Sequence, residues 1–184
     1  MKFLCSILLL AFTSCVTYPR QMISIPLSNS TSFKLLEAEN WKPLSALQKI
    51  TVEWGKHKLT FNAQLEITEG SIHIVGLTPV HSRSFLISYS HGILDFKEHP
   101  FFKYPVNPEN MLADFQMAFA DASKVSIEGG VVKNEAQRRE FWDKNEKLIT
   151  VNYSNSDLWK TEVKIDNHIH GYKLTITTLQ FENL

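Results

Sequence analysis

The residue with the most distinctive chemistry in this sequence is Cys15, which closes the stretch LLLAFTSC near the N-terminus. Lys2 precedes an apolar run, and the small residues Thr13 and Ser14 stand directly before the cysteine. This charged, apolar and small order is typical of an export signal, and the small pair before a cysteine is typical of the bacterial lipobox. We therefore predict a signal peptide over residues 1–14 and acylation of Cys15 with palmitate-type chains.

The nature and place of the anchor depend on the residues beside Cys15. Phe12 stands where a lipobox usually has leucine, so the alternative is an ordinary secretory signal that leaves Cys15 as a spare thiol. An odd cysteine in an exported chain favours lipidation, and the apolar run is shorter than the roughly 20 residues that cross a bilayer as a helix. Val16 replaces the aspartate that retains lipoproteins at the inner membrane, which predicts the periplasmic face of the outer membrane.

A second group that could do chemistry is the run DNHIH, in which Asp166, His168 and His170 stand at alternate positions. On a strand all three would face the same way and could hold a metal ion. This spacing is not specific, and a strand that runs into a surface turn explains it better. We therefore predict no metal and no cofactor.

The remaining candidates for catalysis are ordinary polar residues. We interpret Asp114 and Gln116 as a polar helix face or as a buried hydrogen bond that fixes a helix to a sheet, and His91 and His99 as loop residues. The sequence has no G-x-S-x-G turn, no H-E-x-x-H helix and no phosphate loop. We therefore expect a protein that is not an enzyme.

The composition predicts one neutral domain on a tether. The chain has 184 residues, 43% of them hydrophobic, with 19 basic and 19 acidic side chains, and loss of Lys2 with the signal leaves one more acid than base. This balance gives no electrostatic case for nucleic acid binding. Pro19, Pro26 and the SNSTS run predict a solvated spacer over residues 15–32, so residues 33–184 are expected to form a single, monomeric domain.

Most of the chain alternates between apolar and polar residues, as in an antiparallel strand that is wet on one side. The clearest stretch is KLTFNAQLEIT, and in KITVEW the residues Ile50, Val52 and Trp54 are in step. Eight or more such stretches with short links predict a mainly β protein, with one large curved antiparallel sheet or an incomplete barrel.

One segment, PENMLADFQMAFADA, breaks this pattern and predicts a helix. Asn107 can cap it, and Pro108 suits its first position. A lone helix among strands needs an apolar surface, so we expect it to cover the concave face of the sheet. A second, short helix is expected in FKLLEAENW, from Phe33. The apolar stripe of the main helix comprises Met111, Leu112, Phe115, Ala118, Phe119 and Ala122.

The block GLTPVHSRSFLISYS, followed by PENMLADFQMAFAD, resembles an uncharacterised bacterial lipoprotein family encoded beside aryl-polyene and related polyketide or fatty-acid-type clusters. The helix of that family reads Leu-Leu-Ala-Asp-Leu-Gln-Leu-Ala, and residues 112–118 match it closely, although Ala120 and Asp121 replace the usual Trp-Pro. The resemblance spans about residues 41–181. In layout the family is similar to the outer-membrane lipoprotein receptor LolB and the carrier LolA, which implies an open antiparallel half-barrel with helices over a hydrophobic concave face.

The resemblance also implies a groove that receives acyl chains. Two phenylalanines in the loop EHPFFKYP, Phe101 and Phe102, could dip into a membrane because the flanking prolines stiffen the loop; packing against the domain is the alternative. The groove candidates, for which ordinary core packing is likewise the alternative, are Phe61, Leu65, Phe85, Ile87, Phe115, Phe119 and Trp159.

Two classes of function follow from this resemblance. The first is an outer-membrane lipoprotein that accepts or passes on a lipid, an acylated small molecule or a lipoprotein acyl chain, for instance in aryl-polyene or related lipid export. The second is a non-catalytic assembly or scaffold lipoprotein, whose groove is merely core and whose outer face docks a partner of a biosynthetic or export machinery. A lipid-acting enzyme is a third and weaker hypothesis.

Overall fold

A computed structural model describes residues 22–78, 83–98 and 107–184 of the chain. Its helices are a 3-10 helix, Ala38–Asn40, and α1, Pro108–Phe119. Its strands are β1 (Ser24–Pro26), β2 (Ser32–Lys34), β3 (Leu44–Trp54), β4 (His57–Ile67), β5 (Ile72–Leu77), β6 (Arg83–Ser90), β7 (Ile93–Glu98), β8 (Ile127–Glu128), β9 (Val131–Glu135), β10 (Arg138–Asp143), β11 (Glu146–Tyr153), β12 (Glu162–Asn167) and β13 (Tyr172–Asn183).

Ten of these strands form one antiparallel sheet, in the order β7-β6-β5-β4-β3-β13-β12-β11-β10-β9. The sheet is curved and open, with β7 and β9 at its two edges, and β1, β2 and β8 form a separate small sheet. The prediction of a mainly β protein with a large curved antiparallel sheet is therefore confirmed.

The alternation read from the sequence sets which side chains face the concave side of the large sheet. In the pairing of β3 with β4, Ile50 stands opposite Phe61 and Val52 opposite Leu59. The polar residues between them face outward, and the hydroxyls of Thr51 and Thr60 lie 3.0 Å apart on that outer face. Period-two alternation puts every second side chain on one face, so a single sequence pattern builds both surfaces.

Two local features adjust this pattern. A bulge in β13 between Thr178 and Gln180 shifts its register, so that Phe181 stands opposite Ala46 and faces the concave side. In β5, a Cβ on Gly76 would lie 2.0 Å from the ring of Phe85 on β6, so only glycine leaves space for that ring. The first feature packs the partly exposed Phe181 against the core, and the second places Phe85 inside it.

Helix α1 begins as the sequence predicts. Asn107 is extended, its side-chain oxygen accepts a hydrogen bond from the backbone N–H of Glu109 at 2.9 Å, and Pro108 opens the helix. Residues Leu112–Phe119 are all buried, and the helix faces the concave side of the sheet, as expected. The prediction that Ala122 belongs to the apolar stripe is wrong: the helix ends at Phe119, and Ala122 is exposed.

Two predictions near the N-terminal side of the domain are corrected. The predicted spacer over residues 15–32 is wrong for its last part, because Ser24–Pro26 pair with Ser32–Lys34 and the side chains of Ile25 and Leu27 are buried. The short helix expected from Phe33 is also wrong: Phe33 lies in β2, and only Ala38–Asn40 form a helical turn. Apolar side chains at alternate positions here favour pairing over a solvated coil.

Within the described ranges, no helix has the length and apolar character that crossing a membrane requires.

Candidate functional site

A cavity of about 50 Å³ lies between α1 and the concave face of the large sheet. Strands β3, β4, β5 and β13 supply its floor, and one side of α1 supplies its roof. Its lining is almost entirely apolar: Ile50, Val52, Phe61, Leu65, Ile74, Met111, Phe115, Leu174 and Ile176, with Gln48 and Asp114 as the polar members.

The floor of the cavity follows from the register of β3 and β13. Val52 pairs with Leu174 and Ile50 with Ile176, and these two rows lie between the pairs Trp54–Tyr172 and Gln48–Thr178. At the Gln48 end, the side-chain amide of Gln48 donates to the Thr178 hydroxyl at 3.4 Å. The apolar floor is therefore bounded by polar groups at both ends.

The roof comes from the first two turns of α1, residues 108–115. Met111, Asp114 and Phe115 are three and four residues apart, so they share one face of the helix. The backbone near this face is fixed at Asn110, whose side-chain amide lies 3.1 Å from Nε2 of His170, in the turn between β12 and β13. This turn and the helix cap together set where the helix lies over the floor.

Asp114 is buried and bonded to the sheet. Its carboxylate accepts hydrogen bonds from the Tyr172 hydroxyl and, at 3.4 Å, from the Asn167 side-chain amide, which also donates to the Tyr172 oxygen at 3.1 Å. Burial raises the pKa of Asp114 from its ordinary 3.8 to about 7, although both hydrogen bonds act to lower it. Burial and the neighbouring carboxylate raise the pKa of Tyr172, which keeps its donating proton.

The C-terminal half of α1 is bonded to the protein more extensively. The Arg139 guanidinium donates to the backbone carbonyls of Met117 at 2.6 Å and Ala120 at 3.1 Å, and the Tyr153 hydroxyl donates to that of Ala118 at 2.8 Å. On the other side, the Gln116 amide exchanges two hydrogen bonds with the backbone of Leu36. The bonds from Arg139 and Tyr153 satisfy carbonyls that a helix end leaves without partners.

Of the two alternatives for Asp114 and Gln116, the structure supports the buried hydrogen bond over the polar helix face, and this bond fixes α1 to the large sheet only at Asp114. Asp114 joins α1 to β13 and β12, and Gln116 joins it to the segment after β2. Both side chains are buried and hydrogen-bonded, which is the usual condition for a polar group in a core.

A row of stacked aromatic rings continues from the roof of the cavity. Neighbouring centroids are 5.3 Å apart for Trp41 and Phe115, 5.3 Å for Phe115 and Phe119, 4.8 Å for Phe119 and Trp159, and 5.2 Å for Trp159 and Phe181. Trp41, Trp159 and Phe181 are partly exposed. The row therefore connects a cavity wall to the protein surface.

The predicted groove residues separate into three groups. Phe61, Leu65 and Phe115 line the cavity. Phe85 and Ile87 lie on the same concave face, on β6, but are packed beside the cavity and not along it. Phe119 and Trp159 belong to the aromatic row.

Sequence reasoning left out several lining residues, of which Leu174 and Ile176 are the clearest. They alternate along β13, and Ile50 and Val52 alternate along β3, so the same periodicity that identified Phe61 and Leu65 could have found them. The pairing of β13 with β3, which joins distant parts of the chain, is the information that the sequence lacks.

The two histidines of the DNHIH run do not converge on one point. Nδ1 of His168 lies 3.8 Å from Asp166, whose carboxylate also pairs with Lys173, whereas His170 stacks on Tyr172. Across residues 22–78, 83–98 and 107–184, no three His, Cys, Asp or Glu side chains are grouped so that they could hold a metal ion. His91 lies in a turn and bonds to the Ser90 hydroxyl.

Four predicted residues lie outside the described ranges. These are Cys15, the predicted lipid anchor, Phe101 and Phe102, the predicted membrane-touching pair, and His99. Their roles stay predictions.

Comparison with known proteins gives one family and several structural likenesses, of which two are described. Residues 45–180 match the family model described as "Protein of unknown function (DUF3261)". No curated protein matches the chain significantly. A LolA superfamily protein from Nitrosomonas europaea has a TM-score of 0.46 and 10% identity, with 80% of this chain and 90% of that one covered. A provisionally assigned outer membrane lipoprotein-sorting protein domain from Vibrio parahaemolyticus has a TM-score of 0.39 and 14% identity, covering 78% and 86%.

Proposed function

The chain belongs to the DUF3261 family, and from that premise we propose that it is an exported lipoprotein that binds an aliphatic chain between its large sheet and α1. In this proposal Cys15 carries the lipid anchor, at the periplasmic face of the outer membrane. The bound chain is part of a lipid, an acylated small molecule or the acyl group of another lipoprotein. The residues of the protein bind and release this aliphatic ligand without changing it chemically.

The observation that carries the proposal is the apolar cavity beneath α1. Each methylene that leaves water for such a surface gains about 0.8 kcal/mol, and the few polar groups in the lining already have hydrogen-bond partners. The volume of about 50 Å³ is small beside the roughly 300–1,000 Å³ of ordinary ligand sites. Binding therefore requires Met111 and Phe115 to move aside, and a flexible methionine makes that movement easier.

Filling the cavity tests the proposal. In a chain carrying Cys15→Ser, Ile50→Phe places a larger side chain on the cavity floor, and we expect it to weaken binding of a pyrene-labelled fatty ester by on the order of tenfold. Thr51→Phe is the matched control, because Thr51 is the next residue of β3 and faces outward. Equal binding by both variants, measured by fluorescence titration, would show that the probe binds elsewhere.

The small volume of the cavity favours a second candidate, an assembly lipoprotein whose groove is core. In that case the pyrene-labelled fatty ester does not bind the unsubstituted protein. A photo-cross-linking residue at the exposed Ile93, on edge strand β7, would then join the protein in cells to one partner of defined mass. Saturable probe binding that Ile50→Phe removes would exclude this candidate.

A further inference from the structure

Asp114 is the one titratable side chain among the described residues that line the cavity. It is only 2% exposed. A buried carboxyl is costly unless it is bonded, and here each carboxylate oxygen accepts one hydrogen bond, from Asn167 or from Tyr172. These bonds attach α1 to the sheet, and the same carboxyl group also belongs to the otherwise apolar lining of the cavity, where a ligand would lie.

The hydrogen bonds of Asp114 leave part of its accepting capacity open. A carboxylate has about four lone-pair positions, and Tyr172 and Asn167 use two of them. Because Asp114 also lines the cavity, a group that enters the cavity can reach the others. The polar group at the opposite end, Gln48, is already directed to Thr178, so the two ends are chemically different.

We propose that Asp114 determines which aliphatic ligands the cavity accepts, selecting chains that carry a hydrogen-bond donor, such as a hydroxyl or an ammonium group, over chains that end in a free carboxylate. The inference rests on the proposed function, since it names the class of ligand for the same cavity. A donor on the ligand completes the hydrogen bonding of Asp114, and an ammonium group also neutralises its charge.

Electrostatics opposes a carboxylate at this place. Two like charges in a cavity that excludes water repel strongly, and one of them must take up a proton before both can be buried. The rise in the pKa of Asp114 toward neutral pH shows that its own charge is already costly there. Tyr172 cannot relieve a second carboxylate, because its hydroxyl proton is donated to Asp114.

Competition between ligands of equal chain length tests the inference. The full chain with Cys15→Ser is loaded with a pyrene-labelled fatty ester at about pH 8, and the label is displaced with hexadecan-1-amine, hexadecan-1-ol, methyl hexadecanoate or hexadecanoic acid, each below its aggregation concentration. We expect the amine and the alcohol to bind more tightly than the methyl ester, and the acid to bind more weakly than the amine by tenfold or more, roughly the effect of a charged hydrogen bond. Asp114→Asn removes the charge and with it the advantage of the amine over the acid, whereas Asp95→Asn, at an exposed aspartate paired with Lys97, keeps that advantage.

The outcomes separate this inference from the proposed function. If all four ligands compete equally, the selection by Asp114 is wrong while the cavity remains a chain-binding site. If none competes and the label itself does not bind, the proposed function fails and this inference fails with it. If Asp114→Asn does not fold, Tyr172→Phe decides: it frees one carboxylate oxygen, so the preference for amine over ester must rise, and an unchanged preference overturns the inference.

Discussion

The concave face of the large sheet is packed differently in two regions, which together comprise seven of its ten strands. We call β3, β4, β5 and β13 the groove half, because they form the cavity floor, and β10, β11 and β12 the packed half. On the packed half the concave side chains of Phe141, Ile149, Val151 and Val163 are completely buried. The groove half leaves a cavity of about 50 Å³ under α1.

The difference follows from what covers each half. The packed half receives the C-terminal half of α1, bonded by Arg139 and Tyr153, and the small sheet lies against the end of β10, where the Ser30 hydroxyl donates to Asp143 at 2.6 Å. The groove half is covered by the first two turns of α1. There Asp114 bonds to Tyr172 on β13 and also to Asn167 at the end of β12, and Asn110 bonds to the turn that joins these two strands. The two regions therefore differ in that the cavity lies over the groove half, while the helix carbonyls are bonded to side chains of the packed half.

Removal of equivalent side chains from the two halves should give the largest contrast. We expect Ile149→Ala to lower the free energy of unfolding by about 2–5 kcal/mol, because a fully buried side chain leaves a cavity that cannot collapse. Ile50→Ala should cost less, about 1–2 kcal/mol, since Ile50 is partly exposed and already borders space. Urea unfolding of both variants measures the difference, and equal losses would contradict the division of the sheet.

The second contrast concerns the helix attachment. Arg139→Met keeps the apolar stem but leaves the carbonyls of Met117 and Ala120 without donors, at a cost of about 1–3 kcal/mol. The neighbouring Arg138 is an exposed residue that bonds to Asn152, so Arg138→Met serves as the control and should change stability little. A result in which both variants lose the same stability would mean that the carbonyl bonds are not what holds the helix end.

The pH dependence of stability reports on the groove half through Asp114. Its folded pKa of about 7 exceeds the ordinary 3.8, so the folded protein keeps a proton that the unfolded chain releases. The resulting stabilisation is complete below about pH 4 and is lost as the pH rises to about 7. As the pH rises through this window, we expect the free energy of unfolding of Asp114→Asn to increase relative to that of the unsubstituted protein, by up to about 1.4 kcal/mol per pH unit. His170, which stacks on Tyr172, is present in both proteins, and parallel stability curves would refute the assignment.

The helix cap should give the smallest effect. Asn107→Ala removes the acceptor for the Glu109 N–H, at a cost of about 1 kcal/mol, whereas Asn107→Ser should retain most of the stability. For a chain of this size such a loss lowers Tm by roughly 2–4 °C. A scan in which serine is as poor as alanine would show that the cap does not stabilise α1.

Sequence periodicity predicted the elements that depend on local pattern. The strands around Phe61 and the cap at Asn107 follow from residue types at fixed spacing, whereas for Gln116 the spacing left both a polar helix face and a buried hydrogen bond open. The bulge that turns Phe181 inward does not, because it depends on how β13 pairs with a strand far away in the chain. Ile25 falls within the predicted spacer because its local sequence is typical of one. Its burial depends on the pairing of β1 with β2 in the small sheet, which the local pattern does not show.

The candidate site was predictable in kind but not in size. Alternation indicated an apolar concave face under a helix, and Phe61, Leu65 and Phe115 do line the cavity. Whether side chains fill such a face or leave space depends on their packing to within a fraction of an ångström. The role of Asp114 as a cavity wall likewise depends on the rotation of α1, which its bonds to Tyr172 and Asn167 fix.

A methyl-labelled NMR experiment tests the central claim, binding of an aliphatic chain in the groove half, most directly. A fatty ester carrying a nitroxide in mid-chain is titrated into the Cys15→Ser chain. We predict that the methyl signals of Ile50, Ile74 and Ile176 broaden most, and that the broadening becomes weaker with distance, through Ile165 on β12 to Ile149 on β11. Broadening confined to exposed residues such as Ile93 and Leu179, or none at saturating probe, would contradict the account.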